Sequence, residues 1–383
     1  MRFSVLLPTR NGGSLIEGCV RSVLDQDYDD VELIVSNNAS EDGTAEILAA
    51  FDDPRLRIFT LGTAVGVTEN WNHCLAQATG DYVVLLGDDD VLLPGYFERA
   101  ETLLAAADEP DVLLYNAFAY AFPGFAGSPL SHYADPFYTP ADRLPIEGPV
   151  SRRQRREMVA GMFAFRFDLH LNMQTALVAR TAIRALRAGC FRPPFPDFYA
   201  LNALMLTVER WVMSSERLVV VGVSPKSFGR TIHSSTDQAQ GLSYLGINPT
   251  FAGKLPGSEI VNGTYETLLA LKADYAPELA GIEIDRAEYI VQQLNAWFVQ
   301  TRLGSLRASD VARRARMLGA RDWALAAGLL ARRLRPAAVR RRLQLDRADP
   351  ASQVWPGMRP LPEVADILEF ADWIARREAP AGR

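Results

Sequence analysis

The feature that most restricts the fold of this chain is the alternation of strand-like and helix-like segments along residues 3–87. Short runs rich in β-branched residues predict four strands, at residues 3–8, 31–36, 55–61 and 82–87. The segments between them carry apolar residues at helical spacing and predict three helices, at residues 14–26, 40–51 and 67–78. This order requires crossover connections, so we expect an α/β fold with a mostly parallel sheet flanked by helices.

Beyond residue 97 the pattern is less regular. Three further strands are predicted, at residues 111–122, 172–180 and 217–224, and a helix at 197–211. Residues 126–149 are rich in Pro, Gly and polar side chains, which is typical of a long substrate loop. After about residue 245 the strand signals vanish, so we expect a main domain over 1–240 and an α-helical extension over 241–383.

Charge and cysteine content narrow the function classes. The net charge of −6 argues against a general nucleic-acid binder. Residues 302–347, by contrast, carry thirteen Arg against three Asp. The three cysteines are widely spaced without a C-x-x-C pair, and no apolar run reaches the length of about 18 residues that a spanning helix needs. These features predict a cytoplasmic protein.

Three polar clusters follow predicted strands at their carboxyl ends. They are "PTRNGG" at 8–13, "NNASEDGT" at 37–44 and "GDDD" at 87–90. Because the carboxyl ends of parallel strands meet at one edge of a sheet, and ligands of such sheets bind there, we expect the clusters to form one site.

The three consecutive aspartates, Asp88, Asp89 and Asp90, allow two interpretations. Aspartate is common in turns, so the stretch could be a solvated turn before Pro94. Alternatively, Mg²⁺ or Mn²⁺ could be shared between carboxylates and a substrate phosphate, which would relieve their repulsion. No G-x-G-x-x-G follows the first strand and no G-x-x-x-x-G-K-[ST] occurs, so a glycine-loop phosphate site is not expected.

Taken in order, "VLLPTRNGG", "ELIVSNNASEDGT" and "GVTENWNHCLAQATGDYVVLLGDDDVLLPGYFE" resemble the family 2 glycosyltransferases of the GT-A fold. The resemblance covers residues 1–110 well and 111–240 loosely. It implies a nucleotide-sugar half over 1–110, an acceptor half over 111–240, and a divalent cation on the donor diphosphate. It also implies inverting transfer of a sugar from a nucleoside-diphosphate-sugar to an acceptor hydroxyl.

The resemblance also assigns roles to the donor-side residues, all of them expectations. The base and ribose pocket would be lined by Pro8, Thr9 and Arg10. Asn37 and Asn38 stand where the family usually has an acidic pair that contacts the base, and Asn can donate as well as accept.

In the aspartate cluster, the resemblance implies that Asp88 contacts the ribose or a metal-bound water, and that Asp90 or Asp89 binds the metal. Farther along the chain, His233 would complete the metal site and Arg230 would contact the diphosphate. A lone His is otherwise a surface or packed residue.

Asp197, after Pro196, stands at the family position of the catalytic base. A carboxylate there could deprotonate the acceptor hydroxyl. The alternative is a helix N-cap, a role that Asp fills well on its own.

Two other functions remain open from the sequence, a sugar nucleotidyltransferase and a non-catalytic sugar-nucleotide binder. The Arg-rich segment 331–347 could contact anionic lipid, which would suit an enzyme that acts on a lipid-linked acceptor. Alternatively, the segment could be a solvated helix face. The acceptor could equally be a lipid-free glycan.

Overall fold

The computed structural model describes residues 1–124, 128–137, 147–166, 172–224, 227, 249–302, 304–333 and 358–378. Eleven strands of these residues form a single mixed sheet. Eight of the strands are paired in the order β11-β7-β6-β9-β4-β1-β2-β3. Strand β10 is outside this order and pairs with β5, β6 and β8.

The predicted alternation of strands and helices in the first part of the chain is confirmed. The strands are β1 (Phe3–Thr9), β2 (Val31–Asn37), β3 (Leu56–Thr60) and β4 (Tyr82–Leu85). The helices between them are α1 (Leu15–Leu24), α2 (Thr44–Ala49) and α3 (Val67–Leu75). Strand β1 pairs in parallel with β2 and β4, and β2 in parallel with β3. Every residue of β2 is buried, as expected for a central strand covered by helices on both faces.

The second part of the chain completes the sheet. Its strands are β5 (Val91–Leu92), β6 (Val112–Ala121), β7 (Ser131–Ala134), β8 (Gly148–Pro149), β9 (Ala176–Ala179) and β10 (Trp211–Val223). Its helices are α4 (Tyr96–Ala106), α5 (Arg152–Phe163), α6 (Arg180–Arg184) and α7 (Pro196–Thr207). Strand β9 runs antiparallel between β4 and β6, and β10 lies parallel to β6.

After residue 249 the described chain is mainly helical, as predicted. The helices are α8 (Glu259–Asp274), α9 (Arg286–Arg302), α10 (Ala308–Ala315), α11 (Ala320–Arg333) and α12 (Ile367–Glu378). None of the helices among the described residues is long and apolar enough to cross a bilayer.

The C-terminal region also contributes one short strand, which the sequence pattern did not predict. Strand β11 (Arg359–Leu361) pairs antiparallel with β7 at the edge of the sheet. A three-residue edge strand with Pro360 in its middle has no alternating pattern, and proline is tolerated in a strand only at such edges. The sequence therefore contained no readable signal for it.

Helix α12 covers apolar side chains of the main sheet. Phe370 is fully buried against Phe118 and Tyr120 of β6, and Val220 of β10 belongs to the same cluster. The last described helix therefore packs on the domain that begins at β1, and it lies behind β5, which directly follows Asp90.

Candidate active site

The three polar loops predicted to converge do so at the carboxyl edge of the sheet. The Thr9 hydroxyl, at the end of β1, donates to Asp88 Oδ2 at 2.8 Å. A Cβ atom on Gly12 would lie 2.9 Å from the same oxygen, so any side chain at position 12 would have to displace the Asp88 carboxylate.

The first and second loops are joined by three hydrogen bonds. The backbone N–H of Asn11 donates to Ser40 Oγ at 2.9 Å, and the Asn11 side-chain oxygen accepts from the Glu41 N–H at 2.9 Å. The Gly13 N–H donates to Thr44 Oγ1 at 3.1 Å. These bonds hold the loop after β1 against the loop after β2, so the two form one wall.

The carboxylate of Asp90 faces the protein interior. Asp90 Oδ2 accepts from the Gly87 N–H at 2.7 Å, Oδ1 accepts from the Gly222 N–H at 2.9 Å, and the residue is 1% exposed. Burial, reinforced by the charge of Asp89, raises the pKa of Asp90. The geometry therefore gives Asp90 the role of closing the turn, and metal binding by Asp90 or Asp89 stays a prediction.

Of the three consecutive aspartates, Asp88 and Asp89 keep exposed surface at this edge. Asp89 Oδ2 accepts from the hydroxyl of Ser227 and from the N–H of Ser224 at 3.3 Å. A Cβ atom on Gly222 would lie 1.8 Å from the Asp89 carbonyl oxygen, so β10 passes directly against the backbone of the turn.

Sequence reasoning missed the residues of β10 and its vicinity that support the turn, namely Gln174, Gly222, Ser224 and Ser227. One signal was present. Gly222 interrupts the apolar run "VVVGVS", and a glycine inside a strand often marks the close approach of another backbone. The two serines and Gln174, whose side chain lowers the pKa of Asp90, carry no such signal.

Asn37 and Asn38 are both buried in the second loop. The Asn38 amide forms two reciprocal bonds with Val65: Nδ2 donates to the Val65 carbonyl at 2.8 Å, and Oδ1 accepts from its N–H at 2.8 Å. Asn37 Oδ1 accepts from the Ser40 N–H at 3.2 Å. The Asn38 amide is thus engaged with the backbone of the loop before α3, which accounts for Asn in place of Asp at this position.

Asp197 lies in the first turn of α7, whose N-cap is Phe195 and makes no side-chain capping bond. Asp197 is therefore not the N-cap that the alternative interpretation required. Its Oδ1 accepts from the Phe198 N–H at 2.7 Å. Burial raises the pKa of Asp197 from 3.8 to about 6. A carboxylate with this pKa is a stronger base than ordinary aspartate and is still ionised at neutral pH.

The remaining predicted residues divide into two groups. Pro8 and Arg10 are half-buried at the end of β1, beside Thr9. Arg230 and His233 lie outside the described residues, so their predicted roles stay predictions.

The described part of the site suits a cation shared with a phosphate ligand. Asp88 and Asp89 supply carboxylate oxygens, which Mg²⁺ and Mn²⁺ prefer, and one or two protein carboxylates suffice when substrate oxygens complete the shell. Among the residues that the structure describes, no three His, Cys, Asp or Glu side chains form a metal-binding group by themselves.

Comparison with known proteins adds a family to this geometry. Residues 4–172 match the family model described as glycosyl transferase family 2. That segment contains the three loops that meet at the sheet edge, and the third of these is the aspartate turn. Residues 4–172 belong to glycosyl transferase family 2. Asp197, α7 and β10 lie beyond the matched segment of the family 2 domain.

Curated relatives align with the same N-terminal region. A GalNAc(5)-diNAcBac-PP-undecaprenol beta-1,3-glucosyltransferase of Campylobacter jejuni is 37% identical over 111 residues, 28% of this chain and 35% of the relative. A putative teichuronic acid biosynthesis glycosyltransferase, TuaG of Bacillus subtilis, is 29% identical over 137 residues, 34% of this chain and 51% of the relative. The alignments thus span about a third to a half of these relatives.

Two solved structures are similar over most of the chain. S. aureus TarS 1–349 has a TM-score of 0.49 at 16% identity, covering 80% of this chain and 90% of that one. The mannosyltransferase PcManGT from Pyrobaculum calidifontis, solved with GDP-Man and Mn²⁺, has a TM-score of 0.47 at 17% identity, covering 92% of this chain and 87% of that one.

Proposed function

We propose that this protein is a metal-dependent, inverting glycosyltransferase that moves a sugar from a nucleoside-diphosphate-sugar to an acceptor hydroxyl. The observation that carries the proposal lies at the carboxyl edge of the sheet, within the segment matched by family 2. There the Thr9 hydroxyl donates to the Asp88 carboxylate, and Gly12 lies directly against it. Ligands of doubly wound sheets bind at such an edge.

Asp88 and Asp89 are the residues that would hold the cation, with His233 as a predicted further ligand. A bound Mn²⁺ or Mg²⁺ supplies positive charge that stabilises the leaving diphosphate. Pro8, Thr9 and Arg10 would line the nucleoside pocket, together with the backbone of Asn37 and Asn38. Arg230 stays a predicted phosphate contact.

Asp197 is the proposed base. Its raised pKa lets the carboxylate take the proton of the acceptor hydroxyl as the oxygen attacks the anomeric carbon. The bond from that carbon to the diphosphate oxygen breaks in the same displacement, so the configuration inverts. The proton ends on Asp197 and the electron pair on the leaving diphosphate.

We propose a glycan or lipid-linked glycan as the acceptor. The names of the two relatives, a GalNAc(5)-diNAcBac-PP-undecaprenol beta-1,3-glucosyltransferase and a putative teichuronic acid biosynthesis glycosyltransferase, support this class for the matched region. A base that activates a hydroxyl is compatible with either acceptor.

We also propose that the protein works in the cytoplasm with peripheral membrane contact near the Arg-rich segment 331–347, most of which lies outside the described residues. Just before that segment, Met317, Trp323 and Leu325 are 56%, 42% and 37% exposed. Co-sedimentation with vesicles of anionic lipid tests the contact. Equal recovery with neutral vesicles, or none with either, would contradict it.

The first experiment is calorimetric titration with UDP, GDP, TDP, CDP and ADP, in Mn²⁺ and again in EDTA. We expect one diphosphate to bind tightly in Mn²⁺ and to lose most of its affinity in EDTA and in Asp88→Ala. Asn11→Ala is the matched control, because it removes the side-chain oxygen that accepts from the Glu41 N–H but removes no carboxylate. Binding that ignores the metal would overturn the proposed donor site.

Turnover then separates the enzyme from its two alternatives. A glycosyltransferase releases nucleoside diphosphate from the donor sugar, whereas a nucleotidyltransferase releases pyrophosphate from a triphosphate. A non-catalytic binder does neither, and in it Asp197→Asn would change nothing.

A further inference from the structure

The start of α7, where Asp197 lies, is packed against helix α8, far outside the family 2 segment. Phe195 and Tyr199 stand two residues to either side of Asp197 in the sequence, and each contacts a different part of α8. This arrangement matters because Asp197 itself makes only a local bond, to the N–H of Phe198.

The first contact is steric. Gly263 in α8 faces the ring of Phe195, and a Cβ atom there would lie 2.6 Å from Cζ and 2.7 Å from Cε2 of that ring. Real Cβ atoms do not approach a ring this closely, so any side chain at 263 must displace Phe195, the N-cap residue of α7. The distance between the Phe195 ring and the backbone of α8 therefore depends on the absence of a side chain at position 263.

The second contact is polar and lies at the other end of α8. The hydroxyl of Tyr199, which is fully buried, donates to Asp274 Oδ2 at 2.7 Å. Arg192 forms an ion pair with the same carboxylate oxygen at 3.2 Å and lies with its guanidinium carbon 5.7 Å from the centre of the Tyr199 ring. Asp274 therefore ties together the loop that enters α7 and the first turn of the helix.

We infer that α8 positions the catalytic base: Gly263 and Asp274 hold Phe195 and Tyr199, and through them the direction of the Asp197 carboxylate. The inference rests on the proposed function, because it needs Asp197 to be the base. Gly263 and Asp274 are positioning residues and touch no substrate. The C-terminal helical region is then part of the catalytic apparatus and not an appendage to it.

The test compares two glycine-to-alanine changes within helices. In Gly263→Ala the methyl group must displace Phe195, whereas in Gly328→Ala, on α11, nothing lies within 4 Å of the new Cβ. Turnover is followed as release of nucleoside diphosphate from the donor sugar, and donor binding by calorimetry in Mn²⁺. Because a misplacement of about 1 Å at a reacting group costs up to about 100-fold in rate, we expect Gly263→Ala to lose about 10- to 100-fold in kcat with KM and diphosphate affinity kept. Gly328→Ala should match the parent protein.

A second variant covers the case in which Gly263→Ala does not fold. Tyr199→Phe removes only the hydroxyl that bonds Asp274, and we expect it to lower kcat several-fold with donor affinity unchanged. Equal kcat in Gly263→Ala and Gly328→Ala would overturn the inference, as would a loss of donor affinity in proportion to kcat. If Asp197→Asn itself keeps full turnover, the proposed function fails, whatever α8 does. If Asp197→Asn is inactive while both α8-contact variants are normal, only the inference fails.

Discussion

At the scale of single residues, the carboxylates Asp90 and Asp197 both have raised pKa values but have different surroundings. Each carboxylate oxygen of Asp90 accepts a hydrogen bond from a backbone N–H, so both oxygens are engaged by the fold itself. Asp197 accepts only from the next residue in its own helix, and burial raises its pKa. The first arrangement fixes a turn, and the second leaves a basic oxygen available.

The pKa of Asp197 gives a pH prediction. The base must be ionised, so we expect kcat to fall about tenfold per pH unit below a pKa of about 6, where an ordinary aspartate would remain active to about pH 4. The pH profile of kcat measures this. A profile that stays flat down to pH 4.5 would show that the catalytic base is another group.

The same shift predicts the stability of the Asp197→Asn protein. A raised carboxyl pKa means that the folded state favours the neutral form, so folding free energy is lost as pH rises from 3.8 to about 6 and the loss is constant above that pH. We therefore expect Asp197→Asn to be inactive but to have a higher urea midpoint at pH 8, with the difference vanishing at pH 3. A lower midpoint at pH 8 would contradict the assignment of the shift to burial.

At the scale of elements, most of the sheet could be predicted from the sequence and the support of the site could not. Strands β1, β2 and β4 are short apolar runs in a repeated strand–helix order, and their positions follow from local pattern alone. The hydrogen-bond partners of Asp90, by contrast, depend on which distant segment of the chain packs beside it. Gly222 lies more than a hundred residues after Asp90, and no local pattern reports that distance.

The loop between β3 and α3 gives an element-scale prediction. Asn38 needs both a donor and an acceptor to pair with Val65, so Asn38→Asp leaves two buried oxygens facing each other. We expect the free energy of unfolding to fall by about 1–3 kcal/mol, measured by urea denaturation. The matched change Asn37→Asp keeps the oxygen that accepts from the Ser40 N–H and should cost less. Equal losses in the two variants would contradict the role given to the Val65 pair.

At the scale of the whole molecule, the described C-terminal residues 358–378 belong to the main sheet through β11 and α12. The Phe370 ring packs against Tyr120 with centroids 5.3 Å apart and against Tyr133 at 5.6 Å. The sequence pattern changes near residue 240, but the packed core does not end there. Side chains from both sides of this boundary share one buried cluster.

Phe370→Ala tests this packing. Removing a fully buried ring should lower the free energy of unfolding by about 3–5 kcal/mol. Ile58→Ala, at a site that is 40% exposed, should change it by less than about 0.5 kcal/mol. We also expect weaker diphosphate binding in Phe370→Ala, because the cluster includes Val91, the residue after Asp90. A small loss like that of Ile58→Ala would mean that α12 is not part of the core.

The position of α12 in the chain also has a consequence for synthesis on the ribosome. Phe118, Tyr120 and Val220 are made long before Phe370, the side chain that covers them. While translation continues, the nascent chain presents an uncovered apolar sheet face, the kind of surface that recruits chaperones or aggregates. The yield of folded protein should therefore depend on how quickly the ribosome reaches α12.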